Sequence, residues 1–567
     1  MTVLLSDEQA GIVALPLGPL AVSACAGSGK TRTAVHRLAA MRRLYEGRGI
    51  VALLSFSNVA VDTFSKEYAS LLRDMPVIGR SAAVEIDTMD GFITANILRP
   101  HGHRVMNCPR VPFLVDGAEP FLKSFTVWDG SRPRPTAEID FACDGVNFKF
   151  LVGKNKAELP ANWAAPAVAS LGKTGAYTHN AGRYWVLRVL REKPFVLRAL
   201  ARRYLHILVD EAQDIGPEHQ AVLELLIGAG SQVSLIGDPH QGIFDFARAK
   251  GAFLKAYGGR AGVAARSLTV NYRSLPGIVS VANRLIGARD TAARVATTER
   301  PSVFYMPYKA ASRDAALDSF RSLLVAAGLD PAKGAVLCRS NDLTAEWRGE
   351  MEAQGVGVVR CLAEAAISRE RRDFLRAYQQ TCLGLTGLLA PKHGSLAVDL
   401  ARPADEAMRG LRRRIWAFVR DPASGLPAAS LIADTGWHPA LKARVTGLVA
   451  MLSAEFGLQA AENLGQRLAK KQLPNAPLLA GPILTAAAAP SFRTSTVHRV
   501  KGESIDAVLY VAKKSHIRAL LDGTDTEDGR IGYVALTRAK DLFVLAVPDT
   551  ALRAFEPELQ ASGLVRA

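Results

Sequence analysis

An α/β fold built on a parallel sheet is predicted by three features of the sequence. The short apolar run Leu20-Ala21-Val22-Ser23 leads into the glycine loop Ala24-Cys25-Ala26-Gly27-Ser28-Gly29-Lys30-Thr31, and Val35, Leu38 and Met41 then recur at helical spacing. A second apolar run, Ile50 to Asn58, is followed by a helical stretch from Val59 to about Leu72, giving the βαβα order of a parallel sheet. Two later apolar runs, His206 to Asp214 and Val233 to Gln241, end in polar residues, and the carboxyl ends of parallel strands are where ligands bind.

The glycine loop reads as a site for a nucleoside triphosphate. Small residues at Ala24, Cys25, Ala26, Gly27, Ser28 and Gly29 let backbone N–H groups face phosphates, and the helix that follows adds its positive end. Lys30 would reach the terminal phosphates and the Thr31 hydroxyl would ligate Mg²⁺. At the end of the His206 run, Asp210 can hold Mg²⁺ through water and Glu211 can take a proton from an attacking water. Gln241 lies past the end of the next strand. Upstream, Ser6 and Gln9 have capping-box spacing, and the Gln9 amide offers the donor and acceptor that an adenine edge needs. Gly172-Lys173-Thr174 imitates a phosphate loop, but no strand precedes it and Pro166 is close, so it reads as a surface turn.

Length and composition bound the partners. At 567 residues the chain is too long for one core, and roughly three or four structural units are expected. A net charge of +17 makes an extended polyanion such as nucleic acid a natural partner. Cysteines 25, 108, 143, 338, 361 and 382 form no C-x-x-C pair, which points to reduced thiols in a cytoplasmic protein without a zinc or iron–sulfur site. Acidic Asp7 and Glu8 near the start argue against a leader peptide, and no apolar run is long enough for a membrane span. From about 99 to 165 the periodicity breaks, with one strand expected at Val146–Val152 and helices near Tyr184 to Tyr204. A second irregular region is rich in Ala, Leu and Arg and reads helical, and its basic run Arg412-Arg413-Arg414 reads as a solvated helix face.

Taken in order, the motifs resemble those of the UvrD/PcrA/Rep helicases of superfamily one. Ala24 to Thr31, followed by Arg32, resembles A-G-A-G-S-G-K-T-R, and Leu54 to Ala60 resembles T-F-T-N-K-A-A. Val209 to Asp214 resembles V-D-E-x-Q-D, and Gly237 to Phe246 resembles G-D-x-x-Q-S-I-Y-x-W. Asn271-Tyr272-Arg273-Ser274 and Val534 to Lys540 are identical to N-Y-R-S and V-A-L-T-R-A-K, and Thr496 to Gly502 resembles T-x-H-x-x-K-G. Ala335 to Asn341 looks like the opening strand of a second core, and Leu542 to Val547 like its last.

The resemblance implies two RecA-like parallel-sheet P-loop cores with an insertion in each. The first core is expected over 1–94 and 201–274 with its insertion at 95–200, the second over 275–375 and 486–567 with a helical insertion at 376–485. It further implies an ATP-dependent helicase moving 3′-to-5′ on single-stranded DNA, in repair, replication restart or phage defence. ATP would lie between the cores with Gln241 sensing the γ-phosphate, Tyr272 stacking on adenine, and Arg273 and Arg538 facing the transferring phosphoryl group. Phe56, Asn58, Phe246 and His498 would touch DNA.

Several positions depart from the family pattern. Asp90 stands where the family has a histidine, Phe246 where it has a tryptophan, and Lys501-Gly502-Glu503-Ser504 replaces K-G-L-E, shifting to Glu503 the carboxylate expected near the sugar hydroxyl. No nuclease domain follows the last motif, so cleavage is not expected of the chain itself. An alternative is an accessory DNA-dependent ATPase serving a partner nuclease, as in Gabija-type anti-phage systems. Charge alone yields a test: for six or more phosphate contacts, log Kd for a single-stranded oligonucleotide should rise with log salt at a slope of about 4 or steeper. A flat affinity between low and physiological salt would contradict a phosphate-tracking groove.

Overall fold

The computed structural model describes residues 5–45, 49–73, 83–115, 119–144, 147–153, 155–243, 251–296, 300–309, 313–347, 357–390, 393, 396–401, 408–470, 473, 475–479 and 492–567. They form two compact units, one of residues 1–341 with 492–567 and one of residues 342–491.

The larger unit holds two six-stranded sheets. The first comprises β1 (Leu20–Ala24), β2 (Ile50–Ser55), β3 (Ala83–Thr88), β4 (His206–Val209), β5 (Gln232–Gly237) and β6 (Ala264–Leu268), in the order β6-β1-β5-β4-β2-β3. Every neighbouring pair is parallel. Val51 to Leu54 are wholly buried, which is why this strand reads as a continuous apolar run rather than an alternating one. Helix α1 (Asp7–Val13) precedes β1 and α2 (Lys30–Leu44) follows it. The buried Arg37 of α2 donates to the carbonyls of Val13, Leu15 and Pro16, so the connection between α1 and β1 is held against the helix that begins at Lys30.

The second sheet comprises β7 (Val303–Tyr308), β8 (Gly334–Cys338), β9 (Arg493–Thr496), β10 (Ile505–Val511), β11 (Ala539–Pro548) and β12 (Val565–Arg566), in the order β9-β8-β10-β11-β7-β12 and again parallel throughout. Two parallel sheets of this kind are the RecA-like pair that the motifs imply. The run at Ala335 is not the opening strand of its sheet, because β7 comes earlier in the chain. Pro307 and a mixed aromatic composition conceal β7 in the sequence; Pro307 is tolerated because β12 pairs with Phe304 and Tyr305 and stops short of it.

Residues between β3 and β4 pack into the core of the first sheet. The strands Asp140–Asp144, Asn147–Val152 and Ala157–Leu159 form an antiparallel sheet, and helices Ala161–Gly172, α3 (His179–Glu192) and Pro194–Arg203 complete the segment. The strand expected over 146–152 is thus Asn147–Val152, Val146 lying outside the described residues. Gly172 ends a helix, and a Cβ there would come within 2.6 Å of the Trp185 ring, so this glycine serves close packing and not a phosphate.

The smaller unit is helical around its own apolar core, which includes Leu362, Leu385, Ile415, Trp437 and Leu441. In its helix Arg409–Arg420, Leu411 and Ile415 face inward while Arg414 makes an exposed bidentate pair with Glu455. The six cysteines form no disulfide with one another, and among the described residues no helix is long and apolar enough to cross a membrane.

Candidate nucleotide site

The glycine loop lies between β1 and α2 at the carboxyl end of the first sheet. Gly27 (φ 70°) and Gly29 (φ 78°) occupy the left-handed region, where a Cβ would be strained. The loop is tied down from within by Ser28 Oγ donating to the Cys25 carbonyl at 2.8 Å. From outside, Cys25 N donates to the Leu268 carbonyl and Tyr272 N to the Gly27 carbonyl, at 2.8 and 2.9 Å. A Cβ on Gly27 would stand 2.6 Å from the Arg273 Cβ, so the glycine permits the Asn271–Arg273 segment to press on the loop. Burial pushes the Cys25 thiol up to about 12, which makes it a packing group rather than a nucleophile.

Gln9 behaves differently from its expected role. Its Nε2 donates to the Ser28 carbonyl at 3.0 Å, and its Oε1 accepts from Ser6 N at 3.1 Å in a complete capping box. Both ends of the amide expected to read adenine are therefore engaged within the chain, joining the start of α1 to the glycine loop.

Three carboxylates gather beyond β4 and β5, Asp210 and Asp238 buried and Glu211 half-buried. Asp210 is pushed up to about 8, first by burial and then by the neighbouring Glu211 charge, and its Oδ1 has no hydrogen-bond partner. Burial also raises Asp238, whose Oδ2 is likewise unpartnered. Glu211 goes the other way: burial opposes its charge, but Lys30, Lys501, a hydrogen bond from Gln213 and Arg538 outweigh it and favour the carboxylate. Glu211 also sits at φ 52° and ψ 42°, a strained conformation for a non-glycine residue. Gln213, wholly buried, donates through Nε2 to Glu211 Oε2 and accepts at Oε1 from Asp238 N, bracing the acid against the end of β5.

These groups fit a divalent cation held largely by water and phosphate. An orphaned carboxylate oxygen on Asp210 stands in a site that also senses the Lys30 charge, and the Thr31 hydroxyl opens α2. Among the described residues no three His, Cys, Asp or Glu side chains form a cage by themselves.

The second sheet closes the cluster. Helix α4 (Glu527–Arg538) ends beside Gln241, and buried Arg538 donates from Nη2 to Gln241 Oε1 at 2.8 Å and from Nη1 to the Glu503 carbonyl at 3.2 Å. Its Nε is buried without a partner. Arg273 donates to the Thr537 carbonyl at 2.9 Å, and burial followed by the Arg538 charge lowers its guanidinium to about 9. Ser274 Oγ and Leu275 N donate to the carbonyls of Ala539 and Lys540, at 2.7 and 2.8 Å.

Lys501 donates to both oxygens of Asp214, at 2.7 and 2.6 Å, and to the Gln241 carbonyl at 2.9 Å. His498 Nε2 meets the Ile243 carbonyl at 3.1 Å, and Arg530 donates to that of Gly242. Local sequence pattern assigns no role to Gln213, Asp214, Lys501 or Arg530. The first three stand within quoted motifs, and Arg530 lies just before Val534–Lys540; what the letters lack is which partner each will meet.

Other expected residues lie outside this cluster. Tyr272 is 41% exposed and Asn58 is exposed, so both present themselves to solvent. Phe56 packs partly on the core, edge-on to the His219 ring at 5.6 Å. Phe246 lies outside the described residues. The Glu503 carboxylate, expected near a sugar hydroxyl, is taken by Arg493 in a bidentate pair at 2.6 and 2.9 Å. Asp90 accepts from Arg183 Nε and Nη2 at 2.9 and 2.6 Å and meets His219 Nε2 at 2.9 Å. Burial opposes its charge, but hydrogen bonds from His219 and Arg183 hold it well below the usual carboxylate range. The position that holds a histidine in the family thus carries a half-exposed carboxylate that pairs with Arg183 of α3 from the helix Met89–Ile93.

The Lys501–Asp214 pair generates a stability test. Both side chains are nearly inaccessible, so Asp214→Leu or Lys501→Met alone should cost about 3–5 kcal/mol by stranding its partner. Asp214→Leu with Lys501→Met should recover most of that loss in urea unfolding. Simple addition of the single costs would contradict a direct pairing.

Residues 5–136 and 176–258 match the family model described as the UvrD/REP helicase N-terminal domain. The chain is 24% identical to the ATP-dependent DNA helicase UvrD2 of Mycobacterium tuberculosis, over 94% of this chain and 77% of that protein. It is 28% identical to DNA helicase II of Escherichia coli, over 50% of this chain and 40% of that protein. A shorter match, 33% identical over 19% of this chain and 10% of the relative, is to an ATP-dependent helicase/nuclease subunit of Pelotomaculum thermopropionicum. With its two parallel sheets, its motifs in order and the match of its N-terminal part to their N-terminal domain, the chain is similar to the UvrD-type helicases of superfamily one.

Proposed function

We propose that the protein is an ATP-dependent DNA helicase that translocates 3′-to-5′ on single-stranded DNA, with ATP hydrolysed between the two sheets. One observation carries the reading: Arg538, from the second sheet's side, ends against Gln241 of the first, within electrostatic reach of Glu211 and Asp238. Lys30 and the loop amides would bind the phosphates, and the ionised Glu211, braced by Gln213, would take the proton of the attacking water. Mg²⁺ held through Thr31 and Asp210 would offset phosphate charge. Gln241 would sense the γ-phosphate, and Arg538 and Arg273 would stabilise charge developing on the transferring group.

Tyr272 is free to stack on adenine. Reading of the adenine edge by Gln9 would require its amide to exchange its bonds to Ser28 and Ser6 for the base. DNA would cross both sheets at Phe56, Asn58, Phe246 and His498. Aromatic faces accept any base, and so sequence preference should be slight. The match to a helicase/nuclease subunit favours one second reading, an accessory DNA-dependent ATPase in an anti-phage nuclease system.

Strand displacement on duplexes with 3′ or 5′ tails separates the two readings. The protein alone should displace strands from the 3′-tailed duplex, and Lys30→Ala should abolish both displacement and ATP hydrolysis. Displacement from the 5′ tail would overturn the polarity. Hydrolysis without any displacement would favour the accessory ATPase, and wild-type turnover by Lys30→Ala would remove Lys30 from the site.

A further inference from the structure

Two helical segments between β3 and β4 enclose a groove that the nucleotide site does not use. The turns Thr94–Leu98, Arg99–His101 and His103–Met106 lie beside the helix Pro194–Arg203 and run opposite to it. At one end Tyr204 Oη meets Asn96 Oδ1 at 2.9 Å, and at the other the Arg104 guanidinium lies over the Phe195 ring, 5.6 Å from its centroid. Between these contacts the groove has a volume of about 430 Å³, inside the range of roughly 300–1,000 Å³ usual for ligand clefts. Its lining is mostly apolar: exposed Pro100 and Ala199 adjoin buried Val196 and Leu200, and His101 and Arg203 add polar groups. Tyr204 precedes β4, at the end of the first sheet opposite to the glycine loop.

The charge around the groove is of one sign. Residues 94–110 carry Arg99, Arg104 and Arg110, residues 193–206 carry Lys193, Arg198, Arg202 and Arg203, and neither stretch contains an Asp or Glu. Among the described residues Arg104, Arg198, Arg202 and Arg203 have no ion-pair partner. Arg202 follows Phe195 by two helical turns, so both stand on the exposed flank of the helix, next to Ala199. The carboxylate that comes near, Glu85, is satisfied from within, accepting from Asn96 Nδ2 at 2.8 Å and Tyr204 Oη at 2.6 Å.

An apolar floor bordered by unpaired guanidinium groups suits an anion that also has apolar side chains to bury. A phosphate backbone would match the border and leave the floor open to water, whereas an uncharged apolar segment would fill the floor and leave the arginines unmatched. We propose that the groove docks an acidic amphipathic segment of a partner protein, its apolar side chains against Val196, Ala199 and Leu200 and its carboxylates against Arg104, Arg202 and Arg203. The docking site is independent of the helicase reading above.

The test uses the full chain and a labelled helical peptide of glutamates with leucines at i, i+3, i+4 and i+7 spacing. The protein should bind it saturably, and should bind neither the same peptide with serine for leucine nor that with lysine for glutamate. Ala199→Glu, an exposed change to a good helix former, should weaken binding about tenfold or more by setting like charges together. Ala199→Lys should bind at least as well as the wild type, and Arg202→Ala with Arg203→Ala should flatten the salt dependence. DNA-stimulated ATP hydrolysis should persist in every variant, which shows that each is folded. Wild-type affinity of Ala199→Glu, an equal loss in Ala199→Lys, or no binding of the leucine peptide would overturn the docking site. Equal binding of the serine peptide, with full competition by duplex DNA, would overturn it in favour of a phosphate-binding face.

Discussion

Two buried polar contacts tie the sheets of the larger unit together: Arg538 to Gln241, and Lys501 to Asp214 with the Gln241 carbonyl. Gln241 takes part in both, with its side chain in one and its backbone in the other. Burying such groups is costly unless each finds a partner, so they constrain how the sheets meet far more sharply than apolar packing would. A shift of one sheet against the other would strand a guanidinium, an ammonium, a carboxylate and an amide together. The geometry of the nucleotide site depends on this constraint, because the first sheet alone supplies Lys30, Asp210 and Glu211 but no Arg538.

The charges in the cleft are unevenly satisfied. Lys501 and Asp214 pair fully, and Glu211 is ionised and braced by Gln213. Asp210 and Asp238 each retain an unpartnered oxygen, and Arg538 an unpartnered Nε. Such orphaned groups are rare in cores and concentrate where a ligand completes the bonding. In the proposed mechanism, a cation would satisfy the carboxylates and phosphates would satisfy the guanidinium. The strained backbone at Glu211 and the tight glycine approaches at Gly27 and Gly29 point to the same place.

Much of the fold and of the candidate site was legible in the sequence, for physical reasons. Strands β1, β2, β4 and β5 are apolar runs because both faces are covered, and the glycine loop is legible because only small residues permit its backbone. Strand β7 was not, since Pro307 and the absence of a β-branched run hide it. Gln9 was read from its chemistry, but a single amide cannot announce that Ser6 and Ser28 will occupy it first. Asp90 is the converse case. Its departure from the family pattern was visible, whereas its partners Arg183 and His219 lie 93 and 129 residues away in sequence. Long-range pairings of polar groups are invisible to local pattern, and the roles that depend on them came from the structure.

In the proposed mechanism neither sheet completes the catalytic set without the other. Steady-state ATP hydrolysis by Arg538→Ala, with and without single-stranded oligonucleotide and beside binding of a fluorescent ATP analogue, tests it most directly. The variant should bind the analogue, because Lys30 and the loop amides remain, yet lose most of the DNA-stimulated rate, since an arginine of this kind supplies a factor of about 10³–10⁵. Lysine at the same position should rescue poorly, lacking the planar fork that reaches two acceptors. Full DNA-stimulated turnover by Arg538→Ala would contradict a site assembled from both sheets.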